Sequence, residues 1–240
     1  MQTKSKEEIE EYREIVKKIL SAFVRVPFHI IVEALIGFKI EPVNSLDGKD
    51  VSLIDEICLI ADNVIEKYHQ NVINRSVYKR VMGKSPRAFR PNEAGVVLEY
   101  EFPLVYQAMS SKFKVIKSIK HLKGKGYPDS LILDTFGKST FVEIKATTKP
   151  NEGSPRDFYF TPLEKAKQKI TMDAKHLLLG FVIRETKPEE YNTIGWKLCD
   201  LSQIVVSMKP EFNANNLEIY KKEALIRENW IEKTGLSKWT

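Results

Sequence analysis

Two runs with strand-like alternation flank a short turn, and this pair constrains the fold more than any other segment of the chain. Residues 127–133 and 139–147 are rich in apolar and β-branched side chains, and residues 134–137, Asp-Thr-Phe-Gly, separate them. Such runs on either side of turn residues indicate an antiparallel hairpin. If the chain turns about Phe136, the numbers of paired residues sum to 272, and this predicts the register of the two strands.

That register brings three charged side chains together. Asp129 is predicted to lie opposite Glu143, with Lys145 two positions further along the same strand. Because side chains alternate between the faces of a strand, all three should lie on one face. Two carboxylates in a core would lose hydration and repel each other, and a divalent cation removes both objections. A solvated strand face is the alternative for Glu143 and Lys145, and the opposed Asp129 favours a site instead.

Hard oxygen ligands at this density favour Mg²⁺, which takes one or two protein carboxylates and keeps several waters. Asp129 and Glu143 are the predicted ligands, and the carbonyl of Ile144 is a candidate third. Such a metal polarises a phosphate and lowers the pKa of bound water, while Lys145 would orient that nucleophile or offset charge developing on the phosphate. The predicted reaction is therefore hydrolysis of a phosphodiester.

Pro128-Asp129 followed by Glu143-Ile144-Lys145 resembles the motif of the PD-(D/E)xK nuclease superfamily. The resemblance implies that Asp129 and Glu143 bind metal and that Lys145 assists the attacking water. In size and form the chain is most similar to type II restriction endonucleases. This implies a homodimer that cuts a short palindromic site in double-stranded DNA.

The resemblance also implies a glutamate on the helix before the hairpin. Gly95-x-x-x-Glu99 resembles that helix motif, so Glu99 is the predicted residue, with Glu93 and Glu101 as alternatives. Asn92 is predicted to cap this helix, since a negative charge at its first position suits the helix dipole. Pro103 is expected to kink or divide it.

The fold implied by the resemblance is α/β (α+β), with a restriction-endonuclease-like core of a mixed central sheet flanked by helices and a helical N-terminal region. The core covers residues 92–183, including a crossover helix at 162–170 capped by Thr161 and a buried strand at 176–183. The predicted divisions are a helical region at 1–90, a catalytic core at 91–210 and a C-terminal helix at 211–240.

Periodicity and turn residues predict the remaining elements. Residues 71–81 would either extend the second helix or form another. The other predictions are helices at 4–26, 52–68 and 217–230 and strands at 193–198 and 204–208.

The charge of the chain favours a polyanionic partner. Its net charge is +6, and residues 112–125 contain six lysines and no acidic residue. An exposed helix or strand edge is the alternative interpretation of this lysine run. The candidate DNA-binding residues are Lys123, Lys125, Lys149, Asn151, Arg156, Arg87 and Arg90.

Composition excludes several other classes of protein. No apolar stretch approaches the roughly 20 residues that span a bilayer, and the N-terminus is typical of neither a signal nor a transit peptide, so a cytoplasmic protein is predicted. Cys58 and Cys199 are too isolated for a zinc site or a disulfide and are predicted to be core thiols. The competing functions are a repair, junction-resolving or modification-dependent nuclease, and a DNA-binding protein with a degenerate nuclease core.

Overall fold

The computed structural model describes residues 6–21, 25–124, 126–148, 160 and 168–207. The chain divides into two units, one of residues 1–26 with 206–240 and one of residues 27–205. The first unit contains helix α1 (Lys6–Ser21) and a two-stranded sheet of β1 (Arg25–Pro27) and β9 (Val205–Ser207). The prediction that the first helix extends to residue 26 is therefore wrong, because the chain is already extended at Arg25.

The second unit is built on a mixed sheet, as predicted. Its strands run in the order β3-β8-β7-β6-β5-β4, and β2 pairs with β7 off this path. The β6–β7 and β2–β7 pairs are parallel, and the other pairs are antiparallel. The strands are β2 Ile40–Glu41, β3 Ile73–Asn74, β4 Ile116–His121, β5 Ser130–Asp134, β6 Ser139–Thr147, β7 Ala174–Lys187 and β8 Glu190–Asp200.

Local capping explains where three helices of this unit begin or end. Helix α2 (Phe28–Ile36) ends at Gly37, whose φ of 87° is the left-handed conformation that glycine adopts readily. The Asp47 side chain accepts from the N–H of Lys49 where α3 (Gly48–Gln70) begins. The Asn74 side chain likewise caps α4 (Arg75–Met82). This cap makes the segment predicted at 71–81 a separate helix and not an extension of α3.

Helix α5 (Pro91–Ala108) carries the candidate glutamates. It begins at Pro91, so the prediction of Asn92 as its cap is wrong; proline suits the first helical position because its φ is already helical and its missing N–H would have no partner there. The Glu93 carboxylate accepts from the N–H of Arg90 at 2.9 Å. The helix continues through Pro103 without dividing.

Both faces of the sheet are buried. On one face, α3 and α5 pack against the strands, with Ile57, Leu98, Phe102, Val142 and Ile144 fully or almost fully buried in the shared cluster. Aromatic side chains from α2 and from the segment before β5 cover the other face. Their rings meet edge to face or stack with centroids 5.0–5.7 Å apart in the series Phe28, Tyr127, His176 and Phe141. Burial on both faces explains the continuous apolar run of β7 at residues 177–183.

Two predicted helices fall wholly or mostly outside the described residues. The predicted crossover helix lies outside the described residues except at 168–170, which are not helical, and the predicted helix at 217–230 lies wholly outside them. Cys199 is exposed, so its prediction as a core thiol is wrong: it stands on β8, where most side chains face solvent in part. No helix among the described residues is long and apolar enough to span a membrane.

Candidate functional site

The β5–β6 hairpin has the predicted register. Ser130 pairs with Val142 and Ile132 with Thr140, so that paired residue numbers sum to 272. Asp129 lies one residue before β5, and its N–H donates to the carbonyl of Val142 at 3.1 Å. Continuing the register by one step sets Asp129 beside Glu143.

The side chains of the three motif residues converge at this end of the hairpin. Oδ2 of Asp129 accepts from the N–H of Ile144 at 2.8 Å. Nζ of Lys145 lies 2.5 Å from Oε1 of Glu143, whose side chain is only 5% exposed. The second oxygen of that carboxylate, Oε2, is buried and has no hydrogen-bond partner among the described residues.

Burial and neighbouring charges shift the pKa values of Glu143 and Lys145. Burial, followed by the nearby Asp129 carboxylate, raises the pKa of Glu143 to about 7, although Lys145 opposes the shift. Burial alone would lower the pKa of Lys145, but the carboxylates of Glu143 and Asp129 outweigh it and raise that pKa. Carboxyl groups with such values cluster at functional sites more often than on ordinary surfaces.

Of the three candidate glutamates, the structure brings Glu99 to the motif residues. Gly95 allows the close approach of α5 to β6, because a Cβ there would stand 3.4 Å from Cβ of Ala146. Burial, followed by the charge of Asp129, raises the pKa of Glu99 to about 8. Asp129, Glu143 and Glu99 are called the acidic cluster below.

The two alternatives have structural roles elsewhere on α5. Glu93 caps the helix, as described above. Glu101 is buried on another side of α5, where it accepts from Nζ of Lys67 at 2.6 Å and from the Tyr68 hydroxyl at 2.7 Å. Glu99 therefore joins the motif residues, whereas Glu93, six residues before it, and Glu101, two residues after it, stabilise the fold.

Sequence reasoning missed Lys169. Its Nζ donates to the carbonyls of Gly126 and Pro128 at 2.6 and 2.8 Å, and its charge interacts with all three carboxylates of the acidic cluster. In the sequence it is one of three lysines at alternate positions, 165, 167 and 169. Nothing local distinguishes it from the other two, so only the tertiary structure assigns it to the site.

His121 also lies close enough to Asp129 to feel its charge. Its ring is 4.4 Å from that of Tyr100 on α5, centroid to centroid. Burial lowers the pKa of His121, against the opposing effect of the Asp129 charge.

Lys123, a candidate DNA-binding residue, lies just after the hydrogen bond that joins the end of β4 to the motif. It is exposed and follows Leu122, whose N–H donates to the carbonyl of Asp129 at 2.7 Å. The lysine run before it occupies the edge strand β4 and its flanks, and its described members are exposed. The candidates that lie outside the described residues are Lys125, Lys149, Asn151 and Arg156.

Arg87 and Arg90 are exposed on the segment that precedes α5. Arg75 holds this segment, donating to the carbonyl of Pro86 at 2.5 Å and pairing with Glu189 in the β7–β8 turn at 2.7 Å. Arg90 stands nine residues before Glu99, which corresponds to about 13 Å along a helix axis. The structure therefore does not bring these two arginines into the acidic cluster.

The donor set fits a hard divalent cation held by two protein carboxylates. Oε2 of Glu143, which is buried and has no hydrogen-bond partner within the described ranges, is placed to coordinate a cation. In the described ranges, no three His, Cys, Asp or Glu side chains are grouped so that they could hold a metal ion by themselves. A hard divalent cation held by two carboxylates would complete its shell with water and phosphate oxygens.

The raised carboxyl pKa values predict how stability depends on pH. Folded Glu143 and Glu99 hold their protons up to about pH 7 and 8, whereas both would titrate near 4.5 in the unfolded chain. The unfolded chain therefore binds fewer protons in this range, so the free energy of unfolding falls as pH rises. Burial lowers the pKa of His176 to about 4, which has the opposite sign but acts only below about pH 6.5.

From pH 6.5 to 8 we therefore expect the metal-free protein to lose on the order of 1 kcal/mol of stability in urea unfolding with EDTA. The double variant Glu143→Gln, Glu99→Gln should flatten this dependence, because neither amide titrates. Glu66→Gln, at an exposed position on α3, serves as the control. An equal slope in the double variant and the wild type would contradict the assignment of the protons to these carboxyls.

Comparison with known proteins adds independent information. The model of the type II restriction enzyme MjaV family matches residues 22–223. Type II restriction enzyme MjaV of Methanocaldococcus jannaschii is 31% identical over 230 residues, which are 91% of this chain and 95% of that protein. No solved structure matches the chain. The matched range includes the whole acidic cluster and both Lys145 and Lys169.

Proposed function

Because the chain belongs to the MjaV family of type II restriction enzymes, and is therefore a site-specific nuclease, we propose that it hydrolyses DNA at the acidic cluster and Lys145. We assign this site to the PD-(D/E)xK type. The observation that carries the proposal is the convergence of Asp129, Glu143 and Lys145 at one end of the β5–β6 hairpin. The family membership also favours restriction over the repair or non-catalytic alternatives.

Asp129 and Glu143 are the proposed ligands of Mg²⁺, with the carbonyl of Ile144 as a third. When bound, such a metal polarises the scissile phosphate and lowers the pKa of its bound water. The hydrogen bond from the N–H of Ile144 fixes one oxygen of Asp129, and Lys145 fixes one oxygen of Glu143. Each carboxylate is thereby oriented before any ligand arrives, which reduces the reorganisation required for binding.

Lys145 is the proposed catalytic cation. Its raised pKa keeps the ammonium charged at neutral pH, so it can orient an attacking water or offset negative charge developing on the phosphate. Glu99 is a further catalytic candidate. At neutral pH it carries a proton, which it can release as the positive charge at the site increases.

Double-stranded DNA is the proposed substrate, bound by a homodimer that cuts a short palindromic site. Residues 91–210 would form the catalytic core. The proposed DNA contacts are Lys123, Lys125, Lys149, Asn151, Arg156, Arg87 and Arg90.

Incubation of plasmid DNA with the full chain and Mg²⁺ tests the proposal. Discrete fragments whose sequenced ends share one short motif are the expected result, and EDTA should abolish them. Cleavage that persists in EDTA would contradict the metal assignment. Intact plasmid, together with cleavage of methylated or branched DNA, would instead favour a modification-dependent or junction-resolving enzyme.

We expect the affinity for duplex DNA to fall steeply with salt, because lysines that contact phosphates release counterions. About four such contacts correspond to roughly a hundredfold loss of affinity for a fourfold rise in salt. Fluorescence anisotropy in Ca²⁺ measures this without turnover. Lys123→Gln should reduce the slope of log affinity against log salt by about 1. A flat response would contradict docking through the lysine run.

A further inference from the structure

The ammonium of Lys169 lies against the loop that leads from β4 into Asp129. Nζ donates to the carbonyl oxygens of Gly126 at 2.6 Å and Pro128 at 2.8 Å. Its Cε lies 4.0 Å from the position that a Cβ on Gly124 would take. The Lys169 side chain therefore contacts three residues of this loop, Gly124, Gly126 and Pro128.

Two glycines of this loop, Gly124 and Gly126, lose backbone freedom when they are ordered. Gly124 and Gly126 have φ values of 104° and 86°, and ordering glycine in any conformation loses more backbone entropy than ordering another residue. A half-buried lysine that bonds two carbonyls at once removes much of this freedom. The loop is therefore held from one side by a residue more than forty positions away in sequence.

The peptide between Pro128 and Asp129 is held at both ends. Its carbonyl accepts from Lys169, and its N–H donates to the carbonyl of Val142 on β6. Because a peptide unit is planar, fixing both of its polar groups fixes the plane from which the Asp129 side chain projects. Without the hydrogen bond from Lys169, this peptide plane would be held only by the hydrogen bond to Val142 and could tilt about it.

Lys169 also contributes charge. Burial lowers its pKa, whereas the carboxylates of Asp129, Glu143 and Glu99 oppose this. An ammonium has three donors, and two of them bond the loop carbonyls. In the described part of the chain the third has no protein acceptor. A second cation therefore faces the acidic cluster in addition to Lys145.

We propose that Lys169 is a positioning residue that orients Asp129 for binding of the divalent cation, an inference that rests on the proposed function of Asp129 as a metal ligand. Lys169 acts through the peptide that precedes Asp129. Removing the partner that orients a metal ligand typically weakens metal binding by about 10- to 100-fold. The expected effect lies in metal affinity and not in the maximal rate.

The test is calorimetric titration of the full chain with Mn²⁺ in the absence of DNA. Lys169→Met should bind Mn²⁺ about 10- to 100-fold more weakly than the wild type. Lys169→Arg, which keeps the charge and two donors, should recover most of the affinity. Lys187→Met removes an exposed lysine at the end of β7 and should leave it unchanged. In cleavage assays, excess Mg²⁺ should restore the maximal rate of Lys169→Met.

Wild-type Mn²⁺ affinity in folded Lys169→Met would overturn the inference. So would weakened binding that Lys169→Arg fails to recover, because the effect would then be a general disturbance of packing. If Lys169→Met does not fold, Lys169→Gln replaces it, with the same expected weakening and the same contrary result. Asp129→Ala separates the two proposals. Undiminished Mn²⁺ binding by this variant would overturn the assignment of Asp129 as a ligand. If the variant loses Mn²⁺ binding, that assignment stands and the Lys169 variants decide the inference.

Discussion

Asp129→Ala is expected to lower the single-turnover rate of DNA cleavage by about three decades, since metal charge stabilisation contributes several kcal/mol and each 1.36 kcal/mol is tenfold. The carboxylate that this variant removes accepts the N–H of Ile144 and stands beside Glu143. Duplex binding should largely survive, because phosphate contacts elsewhere supply most of the affinity. The rate is measured with saturating enzyme, and binding by anisotropy in Ca²⁺.

Asp129→Asn sharpens this comparison, because it keeps the size of the side chain and an acceptor for Ile144 while removing the charge. It should lose nearly as much activity as the alanine variant. Asp55→Ala, at an exposed position on α3, is the control for a general effect of removing an aspartate. Wild-type cleavage by either Asp129 variant would refute its role as a ligand.

Lys145→Ala should also lower cleavage by about three decades, for a different reason. The ammonium that offsets charge on the phosphate is lost, and so is the 2.5 Å contact that orients Glu143. Because this contact orients a proposed ligand, metal binding should weaken by about 10- to 100-fold. It should not be lost as in Asp129→Ala, since both proposed carboxylate ligands remain. Measurement of the cleavage rate and of Mn²⁺ affinity on the same protein therefore separates Lys145 from Asp129.

This variant also has an expected pH signature. Lys145 lowers the pKa of Glu143, so its removal should raise that pKa further and move the rise of residual activity to higher pH. Lys79→Ala, at an exposed site on α4, controls for the loss of one positive charge. A residual pH profile identical to that of the wild type would contradict the coupling between the two residues.

The hairpin shows how much local sequence can predict. Asp134 to Gly137 form a turn in which the N–H of Gly137 bonds the Asp134 carbonyl, and the strands pair in the predicted register from there. Strand alternation then dictates that Glu143 and Lys145 share a face. The first strand begins at Ser130 and not at residue 127, because the chain before it forms the loop that Lys169 holds.

Helix α5 shows what the local sequence could not predict. The resemblance of Gly95-x-x-x-Glu99 to the family's helix motif predicted Glu99, with Glu93 and Glu101 left as alternatives whose own roles it did not predict. Their roles differ because of residues distant in sequence: Lys67 and Tyr68 on α3 bind Glu101, whereas Asp129 approaches Glu99.

The sequence by itself determined the hairpin, its register and the meeting of an aspartate, a glutamate and a lysine, because neighbouring residues and strand geometry specify all of these. Only the tertiary structure gave Glu101 its separate structural role and brought Lys169 to the loop before Asp129. It also buried one oxygen of Glu143 without a partner among the described residues. Those features depend on side chains far apart in the chain packing against one another. Local periodicity cannot predict such contacts. The pattern of one segment is the same whether or not a distant residue packs against it.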